Sequence, residues 1–237
     1  MELLGLLTLT FLATFIGTLT GFGASTIMMP FVVLIFPLPI ALLFVGILHW
    51  FNDIWKIILF KRGVRWKLIL YFGIPGVLFS FLGANIALSI ESAILTKLLG
   101  LVLVLYPVLI FAKPKFKIPS SSPAAVAGGA LSGLMAGIFG VGGAVRGMFL
   151  SAFNFKKEVY LATSGAIALL IDSARIITYF SGGTRLDGVL LWGLILFIPA
   201  TFIGAELAKK LVNKIPQEKF RKVVLIFLLL VGLKLLL

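Results

Sequence analysis

The chain has 237 residues, 61% of them hydrophobic and only 12% charged, with a mean hydropathy of +1.19. Soluble domains carry about 25% charged residues, so the composition excludes an ordinary soluble protein and indicates an integral membrane protein. The absence of cysteine excludes disulfides, thiolate metal sites and cysteine nucleophiles. The formal charge of +13 is read as loop charge marking the cytoplasmic side rather than as a nucleic-acid footprint.

Long apolar segments are predicted near residues 3–20, 40–60, 68–90, 93–112, 124–140, 159–180, 188–208 and 219–237. The opening MELLGLLTLTFLATFIG lacks a basic leader and is expected to be a first, retained helix. Two shorter pieces, 25–36 and 143–153, cannot cross a hydrocarbon core of about 30 Å as helices. Each follows a glycine cluster, GTLTGFGAS in one case and GIFGVGGA in the other. The polar stretch KPKFKIPSSSP, residues 113–123, separates a first membrane repeat (1–112) from a second (124–237).

The two repeats read as copies. GFGAS at 21–25 matches GVGGA at 140–144 with an offset of 119 residues, and Asp53 and Lys56 match Asp172 and Arg175 with the same offset. IPGVLFSFLGAN at 74–85 resembles IPATFIGAE at 198–206 after a small deletion. Basic residues gather at 61–67, 113–117, 156–157 and 209–222, which hold 15 of the 21 Lys and Arg residues. With these loops inside, 36–39, 89–92 and 181–188 fall outside. The bias reverses between the halves, and each half then needs a hairpin followed by three spans. The expected fold is therefore all-α, with two inverted-topology repeats, each a glycine-broken re-entrant-like hairpin plus three transmembrane helices. That makes about eight long helices and two short ones, an arrangement shared by several unrelated transporter folds. Both termini are expected outside.

Irregular backbone at membrane depth survives only where protein buries it or a cavity wets it. A glycine break before a short helix exposes the first N–H groups of that helix, which bind anions. The expected substrate contacts are Gly21, Gly23, Ser25 and Thr26 in the first copy, and Gly140, Gly142, Gly143 and Arg146 in the second. Gly17, Gly21, Gly133 and Gly137 also have the four-residue spacing of close helix packing. Arg146 has two readings, as an anion contact or as the partner of a carboxylate.

Asp53 with Lys56 and Asp172 with Arg175 lie i, i+3 on helix faces. Each is either a self-neutralising pair that fixes helix rotation or part of the transport machinery, with Arg175 contacting substrate and Asp53, Lys56 and Asp172 coupling or gating. His49 and Asn52 are further coupling candidates; His49 is either a packed polar residue or a proton-sensitive group on a substrate path, because imidazole changes charge near neutral pH. A lone histidine does not make a metal site, and HExxH is absent, so no metal and no cofactor are expected. Asn85, Thr163, Ser164 and Glu206 are weaker candidates. No nucleophile–base pair or P-loop is present, so neither an enzyme nor an ATP-driven pump is expected.

The segment AGIFGVGGA, residues 136–144, with its partial copy GFGAS, resembles the glycine motif of the TauE/SafE sulfite exporter family. The resemblance covers the whole chain. It implies a secondary exporter of sulfite or a related sulfur-containing or organosulfur anion in the cell (plasma or inner) membrane. Its partners are then a small-molecule anion and the lipid bilayer, without nucleic acid; the oligomeric state, homo-oligomer included, stays open. The alternative is a membrane enzyme or assembly factor without transport activity.

Overall fold

In the computed structural model the backbone is described for residues 2–61, 63–112, 118–214 and 217–237. Arg62 and the basic stretch 113–117 lie outside the described residues, as do the side chains of Lys219 and Arg221. Ten helices and no strand are found among the described residues. They are α1 (Glu2–Thr20), α2 (Ala24–Val32), α3 (Leu38–Leu59), α4 (Trp66–Ser89), α5 (Ser92–Ala112), α6 (Ser122–Phe139), α7 (Gly142–Ser151), α8 (Lys157–Ser181), α9 (Gly188–Leu211) and α10 (Gln217–Leu236). Eight are long, and α2 and α7, with 9 and 10 residues, are the expected short pieces. Seven are long and apolar enough to cross a membrane on their described residues; α10 contributes the apolar stretch Val224–Leu236.

Local chemistry sets several boundaries. Ser121 caps α6 by accepting from the Ala124 N–H at 3.4 Å, and Asp187 caps α9 by accepting from the Leu190 N–H at 2.8 Å. Large apolar side chains such as Leu78, Leu109, Ile195 and Leu230 stand on the outside, as a lipid-facing surface requires. Trp66 and Trp192, each in the first helical turns of its span, are exposed as well, a placement that suits interfacial anchors.

α3 and α8 form the centre. Trp50 Nε1 donates to Ser173 Oγ at 2.9 Å, Gly46 packs on Ile176, and Gly165 packs on Ile57 and Lys56. Residue numbers rise along one helix as they fall along the other, so the two run antiparallel. Around them α1 packs on α9, α4 on α6 and on α8, and α5 on α10.

The α4–α6 pair is the closest. Cβ atoms at Gly129, Gly133 and Gly137 would strike the backbone carbonyls of Phe72, Gly76 and Ser80. Small residues at four-residue spacing permit that approach between helices. Gly17 lets α1 approach the start of α2, where a Cβ would lie 2.6 Å from Ala24 N.

Candidate functional site

Both hairpins are broken where glycine supplies a left-handed backbone. Gly21 (φ 76°) and Gly23 (φ 82°) end α1, and their N–H groups both donate to the Gly17 carbonyl, at 3.0 and 3.2 Å. Gly140 (φ 72°) ends α6, donating to the Ala136 carbonyl at 2.9 Å, with Val141 reaching Met135 O at 3.4 Å. The bond from Gly140 to Ala136 is the αL cap that satisfies one of the last carbonyls of a helix. The second break is one residue shorter than the predicted piece 143–153 leaves: Gly142, like Gly143, lies in the first turn of α7. Their lack of a side chain serves packing. A Cβ at Gly142 would lie 2.7 Å from Ala136 Cβ, and one at Gly143 would collide with the Phe22 carbonyl and lie 3.0 Å from Thr26 Oγ1.

The two breaks therefore meet, since Phe22 and Thr26 belong to the first and Gly143 to the second. Gly140 also abuts Met29 and Leu42. Thr26 Oγ1 donates to the Phe22 carbonyl at 3.1 Å, which uses its one hydrogen within its own turn. Ser25, the second residue of α2, is buried at the same break. Tyr160, from α8, donates to the Gly21 carbonyl at 3.2 Å and pins the first break.

The paired charges gather beside the first break. Lys56 Nζ lies 2.5 Å from Asp53 Oδ1, and Arg175 Nε lies 2.6 Å from Asp172 Oδ1. His49 joins the pairs, with Nδ1 2.5 Å from Asp172 Oδ2 and 3.3 Å from Asp53 Oδ2. All five residues are at most 3% exposed. Charge at that depth is tolerated when it is paired, and each ion here has an opposite partner.

His49, Asp53 and Asp172 bring three ligand atoms within 4.8 Å of one another, so this histidine is not alone, as the sequence suggested. Both carboxylates lie within ion-pair distance of Lys56, Arg175 or His49 itself, which makes the group an ion-pair network, although neither oxygen of Asp53 makes a hydrogen bond among the described residues. Asn52, also buried, accepts from Thr18 Oγ1 at 3.4 Å, and its Nδ2 has no partner among the described residues.

Two buried guanidinium groups keep unused donors. Arg146 Nε donates to Ser164 Oγ at 3.0 Å, and its Nη2 makes no hydrogen bond among the described residues. No carboxylate pairs with it there. Arg175 spends Nε on Asp172, and its Nη1 and Nη2 likewise lack hydrogen-bond partners among the described residues. Tyr179, beside that guanidinium, donates its hydroxyl to the Gly137 carbonyl.

The weaker candidates lie elsewhere or serve structure. Asn85 donates to the Phe81 carbonyl of its own helix at 2.8 Å, Thr163 accepts from the Arg65 N–H at 3.2 Å, and Glu206 is half-buried on α9. Sequence reasoning passed over Tyr160 and Tyr179. The one available signal was that two of the four tyrosines in the chain fall on α8, the most polar of the long central segments.

Such an arrangement has the parts for reversible capture of a small anion: helix starts, a buried hydroxyl and two buried cations with donors unspent among the described residues. Comparison with curated proteins gave no match. The family model described as sulfite exporter TauE/SafE matches residues 6–235. The chain belongs to the TauE/SafE sulfite exporter family, whose members are membrane transporters and not enzymes.

Proposed function

We propose that the protein is a secondary exporter, in the cell membrane, of sulfite or a related small sulfur oxyanion held between the two glycine breaks. The observation that carries this reading is the meeting of the two breaks, Gly143 against Phe22 and Thr26, in a fold that also buries Arg146 on α7 and Arg175 on α8 with donors unspent among the described residues. Arg175 and Arg146 supply charge, Ser25 supplies a hydroxyl, and the starts of α2 and α7 supply N–H groups and positive dipole ends. Gly21, Gly23 and Gly140 turn the backbone toward the ligand. Gly142, Gly143 and Thr26 hold the two breaks together. An anion bound by dipoles and hydrogen bonds is held specifically yet released, as transport requires.

The two membrane repeats, 1–112 and 124–237, are proposed to be inverted copies joined by the cytoplasmic linker 113–123. Packing supports this. The contact of Gly46 with Ile176 recurs as the contact of Gly165 with Ile57, and both the glycines and the isoleucines are 119 residues apart. α1 pairs with α9 as α6 pairs with α4, while α3 meets α8 and α5 meets α10 across the same relation. Alternating access by rocking of one repeat against the other around a fixed site follows from such symmetry.

The test is thermal unfolding of purified protein with sulfite, sulfate, thiosulfate or methanesulfonate against chloride. A ligand at a hundred times its Kd stabilises by about 2.7 kcal/mol. The expected result is stabilisation by at least one sulfur oxyanion that is lost in a folded Arg175→Gln variant. No stabilisation by any of the four contradicts the site.

A further inference from the structure

His49 is the residue that touches both the ion-pair network and the first glycine break. Its Nδ1 faces two carboxylate oxygens, Asp172 Oδ2 at 2.5 Å and Asp53 Oδ2 at 3.3 Å. Carboxylate oxygens accept, so Nδ1 carries a hydrogen. With Nδ1 fixed as a donor, any change of charge on the ring takes place at Nε2. That atom is buried, has no hydrogen-bond partner among the described residues, and abuts Gly23, where a Cβ would fall on it. A neutral ring thus turns a lone pair toward the break, and a protonated ring turns an N–H toward it. The lone pair repels an oxyanion, whereas the N–H binds it.

Charge balance points the same way. Facing the imidazole are Asp53 and Lys56 from α3 and Asp172 and Arg175 from α8. α2 has no titratable side chain. Farther out, Arg146 is bound to Ser164, Tyr160 to the Gly21 carbonyl and Tyr179 to the Gly137 carbonyl. Two carboxylates against two cations sum to zero within this network, so protonation of His49 gives the network one net positive charge at membrane depth, in addition to that of Arg146, which has no carboxylate partner among the described residues. Such a charge is costly, and a monovalent anion beside Nε2 cancels it.

We infer that His49 is both a ligand of the transported anion and the carrier of a coupled proton: one proton at Nε2 accompanies each monovalent oxyanion, and the two cross together. This rests on the anion site proposed above. A proton from water on the open side adds to the Nε2 lone pair, and the anion accepts a hydrogen bond from the N–H so formed. On the other side the anion leaves and the proton returns to water, with no other bond made or broken. Asp172 is the positioning residue, because its bond to Nδ1 fixes which nitrogen titrates.

The experiment is calorimetric binding to wild type and His49→Gln in buffers of different ionisation enthalpy, which counts protons taken up per anion. The probes are sulfite and methanesulfonate, the latter a strong-acid anion whose charge does not change with pH. Wild type is expected to take up close to one proton more per anion than His49→Gln at a pH where the free ring is neutral. Its affinity is expected to rise about tenfold for each unit of acidification there, while the glutamine variant, a permanent donor, shows no such slope. Should that variant fail to fold, methanesulfonate binding to wild type alone decides the matter, since any proton taken up must go to the protein. Binding without proton uptake, or with equal uptake in the variant, overturns the inference and leaves the anion site standing. Failure of wild type to bind either probe at any pH overturns both.

Discussion

His49 Nδ1 sits 2.5 Å from Asp172 Oδ2, bridging α3 and α8 across 123 residues of sequence. The contact converts two local i, i+3 pairs into one network, so the carboxylates and cations of the two halves are no longer independent. Removing one member of a buried pair leaves an unpaired charge and costs about 3–5 kcal/mol. Asp172→Asn, which strands Arg175 and loosens His49, is expected to be destabilised by about that much. Adding Arg175→Gln to it is expected to restore most of the loss. Thermal unfolding of the three proteins checks this, and a double variant less stable than Asp172→Asn contradicts it.

The glycines divide by what their missing side chains face. Gly133 lies against the Gly76 carbonyl of α4, so Gly133→Val is expected to force α6 away and cost about 1–3 kcal/mol or more. Gly142→Val clashes with Ser132 and Ala136 inside its own hairpin and is expected to unfold similarly. Neither variant isolates ligand binding. Ser25→Ala does: it removes one buried hydroxyl without adding volume, and it is expected to keep the wild-type melting temperature while weakening anion-dependent stabilisation. Equal stabilisation by anion in Ser25→Ala and wild type removes this hydroxyl from the site.

Topology is accessible through single cysteines, since the native chain has none. Ser120 and Ser181 are exposed, and neither is a capping residue, unlike Ser121, nor a left-handed glycine, unlike Gly183. In right-side-out vesicles, Ser181→Cys is expected to react with an impermeant maleimide and Ser120→Cys only after permeabilisation. Labelling of both from the same side rules out the inverted arrangement.

Much of the fold was legible because helix length, glycine punctuation and basic loops are local signals. The ten helices, including short α2 and α7, fall close to the predicted segments. Within the site, the 119-residue offset located both breaks and both charge pairs. His49 was harder to place, because its repeat counterpart is Ala168 and its partner Asp172 lies on another helix. Periodicity along one helix says nothing about which turn of a second helix it meets. The predicted short piece 143–153 starts one residue late and leaves out Gly142, because glycine disfavours a helix. Tertiary packing overrides that preference here: α7 starts against Ser132 and Phe22, where any side chain would collide.

Flux measured in proteoliposomes tests the transporter reading most directly. Purified protein alone, without partner or cofactor, is expected to carry radiolabelled sulfite down its gradient. A correctly folded Arg175→Gln protein is expected to slow that flux at least tenfold. Flux no faster than in protein-free liposomes across sulfite and the other sulfur oxyanions, from protein verified as folded, would contradict it.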